Sequence, residues 1–242
     1  MNRLFSWLLA VVLFGAAGCV TPYVALNRAN GGSSARPRAL AFLALGDSYT
    51  SGEGAAAAGR WPAQLVGLLT AQGVAIAEPT FIARTGWTTA ELLAAIADAR
   101  PASTYGLVSL LIGVNNQYRG QTLAQYRPEF RALLQQAIGF AGGRPGHVVV
   151  LSIPDWGQSP YGQRQGRDPA AIGLEIDQFN AVAQDECRRA HVAFVTVTDL
   201  TRAAAGSNSQ FTRDGLHYSG PHMRQWADRA LPVAQALLTA GN

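Results

Sequence analysis

The sequence predicts an α/β fold, a five-stranded parallel sheet with helices on both faces. Three observations predict it. Short apolar runs alternate with segments of helical period, Gly and Pro separate them, and no second linker interrupts the pattern after residue 38. Such alternation implies right-handed crossovers between neighbouring strands, and so a parallel sheet.

Leu40–Gly46 is a continuous apolar run ending in Gly, as a strand covered on both faces requires. Trp61–Gln72 places Trp61, Leu65, Leu68 and Leu69 on one helical face, with Pro62 in its first turn and Gly73 at its stop. Thr80–Arg84 reads as a short second strand. Thr89–Arg100 reads as a helix capped by Thr88 or Thr89, with Pro101 beyond it. Tyr105–Val114 is the third strand and Leu123–Phe140 the helix that returns the chain. His147–Ile153 is the fourth strand, Asp168–Ala190 a long helix, Val192–Val197 the fifth strand and Met223–Leu238 a closing helix.

Composition narrows the function classes. The 242 residues are 48% hydrophobic and 14% charged, too apolar for a disordered chain. The net charge is +4, carried by nineteen arginines and no lysine. The arginines stand singly or in pairs, whereas nucleic-acid binders gather charge on one face, so nucleic acid is not an expected partner. Two cysteines offer no Cys-rich zinc site. His217 and His222 lie five apart, off the i,i+4 spacing of a helical metal pair, so neither metal nor other cofactor is expected. Cys187, on the long helix, reads as a small hydrophobe.

Residues 1–18 have the pattern of an export signal. Arg3 precedes an apolar stretch from Leu4 to Phe14, and small residues 15–18 lead to Cys19. The stretch is shorter than the about twenty residues that a membrane span needs. Ala16-Ala17-Gly18 before Cys19 resembles a bacterial lipoprotein signal, although such signals usually carry Leu where Ala16 stands. That resemblance implies acylation of Cys19, a lipid anchor in a membrane and a place in the cell envelope. Residues 19–38, rich in Gly, Ser, Asn and Arg, read as a flexible tether, and residues 39–242 as one folded domain.

In a parallel sheet the carboxyl ends of the strands form the site. After the first strand comes Gly46-Asp47-Ser48, with Gly52 beyond it. Gly86 follows the second, Gly113-Val114-Asn115-Asn116 the third, and Asp214 to His217 the fifth. Taken singly, each has a plainer reading. Ser48 could cap a helix, Gly86 serve a tight turn, Asn115 an Asx-turn, and His217 a surface loop. Together they supply a hydroxyl, a base, an orienting carboxylate and hydrogen-bond donors, the set that serine-based hydrolysis needs.

These four blocks, in this order, resemble the SGNH hydrolases, the GDSL-type lipases and esterases, over roughly Leu40 to Leu238. The resemblance implies a three-layer α/β/α sandwich of flavodoxin-like type and a serine esterase acting on carboxylic esters. It implies Ser48 as nucleophile, His217 as general base and Asp214 as its partner. Ser48, Gly86 and Asn115 would then form the oxyanion hole. The family usually has Asp where Asn116 stands, a difference expected to touch loop support. Trp87, Tyr118, Arg119 and Trp156 are candidate substrate contacts, with Tyr118 and Arg119 nearest the leaving group. The short connection after the first strand predicts an open cleft and short or varied acyl groups. Lysophospholipase, thioesterase and carbohydrate deacetylase activities remain open, as does a non-catalytic envelope lipoprotein that binds an acylated glycan.

Overall fold

Strand β1 (Leu40–Gly46) opens the fold in a computed structural model that describes residues 39–102 and 104–239. The export signal, Cys19 and the tether lie outside the described residues. Among the described residues no helix is long and apolar enough to cross a membrane.

Five parallel strands form the sheet in the order β2-β1-β3-β4-β5. They are β1, β2 (Ile76–Ala83), β3 (Leu107–Leu111), β4 (Val148–Leu151) and β5 (Ala193–Val195). This is the flavodoxin-like order, and the chain reverses its direction of travel across the sheet between β1 and β3. Helix α1 (Ser48–Ser51) follows β1 directly. Helices α2 (Trp61–Ala71) and α9 (Gly220–Thr239) pack together on one face. The other face carries α3 (Thr89–Ala99), α5 (Leu123–Phe140) and α7 (Pro169–Arg189), with α5 between its two neighbours. Three short helices, α4 (Val114–Tyr118), α6 (Pro160–Gln163) and α8 (Thr198–Ala203), occupy connections beyond the carboxyl ends of β3, β4 and β5.

The apolar sequence runs explain the core. Every residue of β3 and β4 is buried, as is β1 from Phe42 onward. Cys187 lies buried on α7, where burial pushes its thiol up to about 12, consistent with a small hydrophobe.

Three boundaries differ from the sequence reading by three residues or more, the others by two at most. Strand β2 begins at Ile76 rather than Thr80, because it is the edge strand. Glu78 and Pro79 are tolerated there, since an edge position leaves one side of the ladder unpaired. Strand β3 ends at Leu111 rather than Val114. Gly113 turns the chain at φ +133, and a Cβ there would press on the Tyr126 ring. Helix α9 begins at Gly220, three residues before Met223, with Pro221 in its first turn.

Candidate active site

Ser48 is the first residue of α1. The helix cap is Asp47, not Ser48: the Asp47 Oδ1 accepts from the Tyr49 N–H at 2.9 Å. Gly46 lets the helix fold back this tightly, since a Cβ there would collide with Thr50 and the Leu111 carbonyl. Ser48 is buried at 4% exposure, and its backbone N–H belongs to the first turn, where no helical acceptor exists.

The Asp47 carboxyl is wholly buried, and its Oδ2 has no hydrogen-bond partner among the described residues. Burial pushes it up to about 7, against the pull of the Tyr49 backbone bond. The folded state therefore holds a proton that the unfolded chain, with its value of 3.8, releases. This group's contribution to stability is complete below about 3.8 and is lost as pH rises to about 7. Asp47→Asn removes that slope from the variant, so the difference in melting temperature between parent and variant should change across this range, the parent losing ground as pH rises. An unchanged difference from acid to neutral pH would count against an embedded acid.

His217 and Asp214 come from the loop before α9. His217 Nδ1 donates to Asp214 Oδ2 at 2.5 Å. Asp214 Oδ1 accepts from the Leu216 N–H at 2.8 Å, the His217 N–H at 3.0 Å and the Thr212 hydroxyl at 2.9 Å. Gly215, at φ +70, makes the local turn that lets residues three apart meet in this way. Burial alone would lift the Asp214 carboxyl, but the His217 ring, these two N–H groups and the Thr212 hydroxyl bring it down to about 2. It is thus a carboxylate at neutral pH. It orients the ring with Nδ1 protonated, which leaves Nε2 as an acceptor. His217 and Ser48 line the same cavity, and no hydrogen bond joins the two side chains in this structure.

Gly86 and Asn115 line that cavity as well. Gly86 has φ +86 in the turn after β2, and Asn115 rides on α4 after β3. Helix α4 grips the Gly86 turn at two successive carbonyls. Asn115 Nδ2 donates to Trp87 O at 2.9 Å, and Arg119 Nη2 donates to Gly86 O at 2.6 Å. Arg119 Nη1 also reaches the Glu91 carboxylate at 3.3 Å. Arg119 therefore braces the turn and does not line the cavity, and Trp87 reaches the site through its backbone carbonyl. Asn116 is fully buried and points away from the cavity. Its Oδ1 accepts from the Thr89 N–H at 3.1 Å, and its amide donates to the Thr89 hydroxyl at 2.6 Å and to Gln121. It ties the start of α3 to α4.

The cavity has a volume of about 150 Å³, and Trp156, Tyr118 and Tyr161 form its aromatic wall. Trp156 is fixed: its Nε1 donates to Gln117 Oε1 at 2.7 Å, and Gln117 donates to Glu175 at 2.5 Å. The Tyr118 ring meets Trp156 edge-on at 5.2 Å, and its hydroxyl lies 3.1 Å from that of Tyr161. Tyr49, Thr85 and Leu216 also line the cavity without having been singled out in the sequence. Each is next to a motif residue, which was the available signal. Among the described residues no group of three His, Cys, Asp or Glu side chains could hold a metal ion.

The model of the GDSL-like Lipase/Acylhydrolase family matches residues 44–221. No curated protein matches the chain. Among solved structures, TesA superposes with a TM-score of 0.62 at 20% identity, covering 81% of this chain and 99% of its own. The acetylxylan esterase Axe2 from Geobacillus stearothermophilus gives 0.63 at 20% identity, covering 81% of this chain and 94% of its own. The psychrotrophic esterase EstA from Pseudoalteromonas sp. gives 0.59 at 16% identity, covering 83% and 99%. At these identities the structures establish a shared fold. The family match, spanning well over half the sequence, goes further, and the chain belongs to the GDSL-like lipase/acylhydrolase family, the SGNH hydrolases, as a carboxylic ester hydrolase.

Proposed function

We propose that the protein hydrolyses short-acyl carboxylic esters with Ser48 as nucleophile. Ser48 Oγ attacks the acyl carbon while its proton passes to His217 Nε2. Asp214 holds the imidazole in the required tautomer and stabilises it once charged. The tetrahedral oxyanion is met by the backbone N–H groups of Ser48 and Gly86 and by the second Asn115 Nδ2 hydrogen, the first being engaged by Trp87 O. The ester C–O bond breaks, and His217 returns the proton to the departing alkoxide. Water then attacks the acyl-serine by the same route, releasing the carboxylic acid and restoring the Ser48 hydroxyl.

One observation carries this reading. A hydroxyl at a helix start, an imidazole held by a carboxylate, and an amide donor border one cavity. The acyl preference rests on size. A cavity of about 150 Å³ is about as large as an engineered core void that admits benzene, so its walls enclose a small acyl group. A series of p-nitrophenyl esters should give its highest kcat/KM between acetate and butyrate and fall steeply beyond. A maximum at decanoate would overturn the short-acyl assignment.

A further inference from the structure

Tyr118 borders two cavities. On one side is the catalytic cavity, and on the other a more open depression of about 430 Å³ between the α4–α5 connection and α7. Most polar groups of this depression already have partners within the protein. Gln121 is held by Asn116 and Glu129, Gln117 by Trp156 and Glu175, and Thr122 caps α5. Three groups still face the space. Glu175 Oε1 accepts nothing, since Gln117 and Arg167 both bond Oε2. The Gln178 amide has no partner among the described residues, and Arg167 gives Glu175 only its Nη2, at 2.8 Å.

These groups define a ligand chemistry. Arg167 and Glu175 neutralise each other, so the depression offers no net charge to hold a phosphate or quaternary ammonium headgroup. Among the described residues, Leu123 and Phe179 are the only aliphatic or Phe side chains lining it, so it is not a channel for an alkyl chain. A free carboxylate oxygen beside amide and guanidinium donors suits vicinal hydroxyls, each of which both donates and accepts. The Tyr118 ring is 45% exposed, one of two large hydrophobic side chains so exposed among the described residues. Trp156 and the Tyr161 hydroxyl hold it still, so it offers a fixed flat surface to the C–H face of a sugar ring.

We infer that the depression beyond Tyr118 is a leaving-group subsite for a neutral saccharide, which makes the substrate a sugar O-acyl ester. The inference rests on the assignment of Ser48 and His217 above. The sugar hydroxyl oxygen is the leaving group: its bond to the acyl carbon breaks, and His217 supplies its proton.

Gln178 lies outside the catalytic cavity, so its variants separate the two assignments. Gln178→Trp would crowd the depression. It should lower kcat/KM for partly acetylated xylo-oligosaccharides about tenfold or more, the equivalent of about 1.4 kcal/mol, and leave p-nitrophenyl acetate within about twofold. Gln178→Ala should act in the same direction but less. Equal losses on both substrates, or an unchanged oligosaccharide rate in Gln178→Trp, would overturn the subsite. So would a parent enzyme that prefers lysophosphatidylcholine to the acetylated sugar. Tryptophan fluorescence reads binding without turnover: the ester-free oligosaccharide should perturb the parent, through Trp156, and not Gln178→Trp. No binding to the parent would overturn the subsite even with p-nitrophenyl acetate turned over, whereas failure on p-nitrophenyl acetate with binding intact would strike the Ser48 assignment instead.

Discussion

Ser48→Ala is expected to reduce kcat/KM for p-nitrophenyl acetate by on the order of 10⁴-fold or more, since removing a nucleophile collapses the whole catalytic unit. The fold should survive. Ser48 Oγ makes no hydrogen bond to the described residues, so its removal leaves no buried partner unsatisfied, and Asp47 still caps α1. The melting temperature should therefore stay close to that of the parent while labelling by a fluorophosphonate disappears. Undiminished turnover by the folded variant would rule out Ser48 as nucleophile. Thr85, the other aliphatic hydroxyl in the cavity, would then be the next candidate, although its hydroxyl is engaged by Glu53 at 2.5 Å.

Asn115→Ala is expected to lower kcat by about 10²–10³-fold with KM changed little, the loss typical of one oxyanion donor. The reason lies in hydrogen counting. The Asn115 amide has two hydrogens, and Trp87 O takes one, which fixes the direction of the other. A donor held in this way needs no reorganisation when charge develops on the substrate oxygen. Losing the Trp87 bond as well is cushioned by Arg119, which still grips the neighbouring Gly86 carbonyl. Asn115→Asp checks the sign of the effect: it keeps the size but replaces the donor with an acceptor, and should be at least as impaired as the alanine variant. A defect confined to KM would make Asn115 a ground-state binder.

Much of the architecture was legible along the chain. The apolar run at Leu40–Gly46 and the helical spacing at Leu123–Phe140 match their elements residue for residue. Both are set by local pattern, the first by burial on two faces and the second by a 3.6-residue period closed by a Thr122 capping box. The candidate site was legible for a related reason: parallel strands bring their carboxyl ends to one edge. Register places Gly46 beside both Ala83 and Leu111, so the loops that leave these three residues share a neighbourhood. The first half of β2 carries no apolar run because an edge strand is poorly covered: only Ile76 and Ile82 of its eight residues are buried.

Local pattern along the chain sets the order of elements and the rim at which hydroxyl, imidazole, carboxylate and amide gather. Three-dimensional packing settles how the polar side chains divide their bonds. It made Asp47 the cap and freed Ser48. It turned Arg119 from the cavity to the Gly86 carbonyl, buried Asn116 against Thr89, and left Gln178 and one oxygen of Glu175 open beside Tyr118. The physical reason is range. Hydrophobic period is written in neighbouring residues, whereas a hydrogen bond joins whichever groups the packed backbone brings within about 3 Å, here often from elements tens of residues apart.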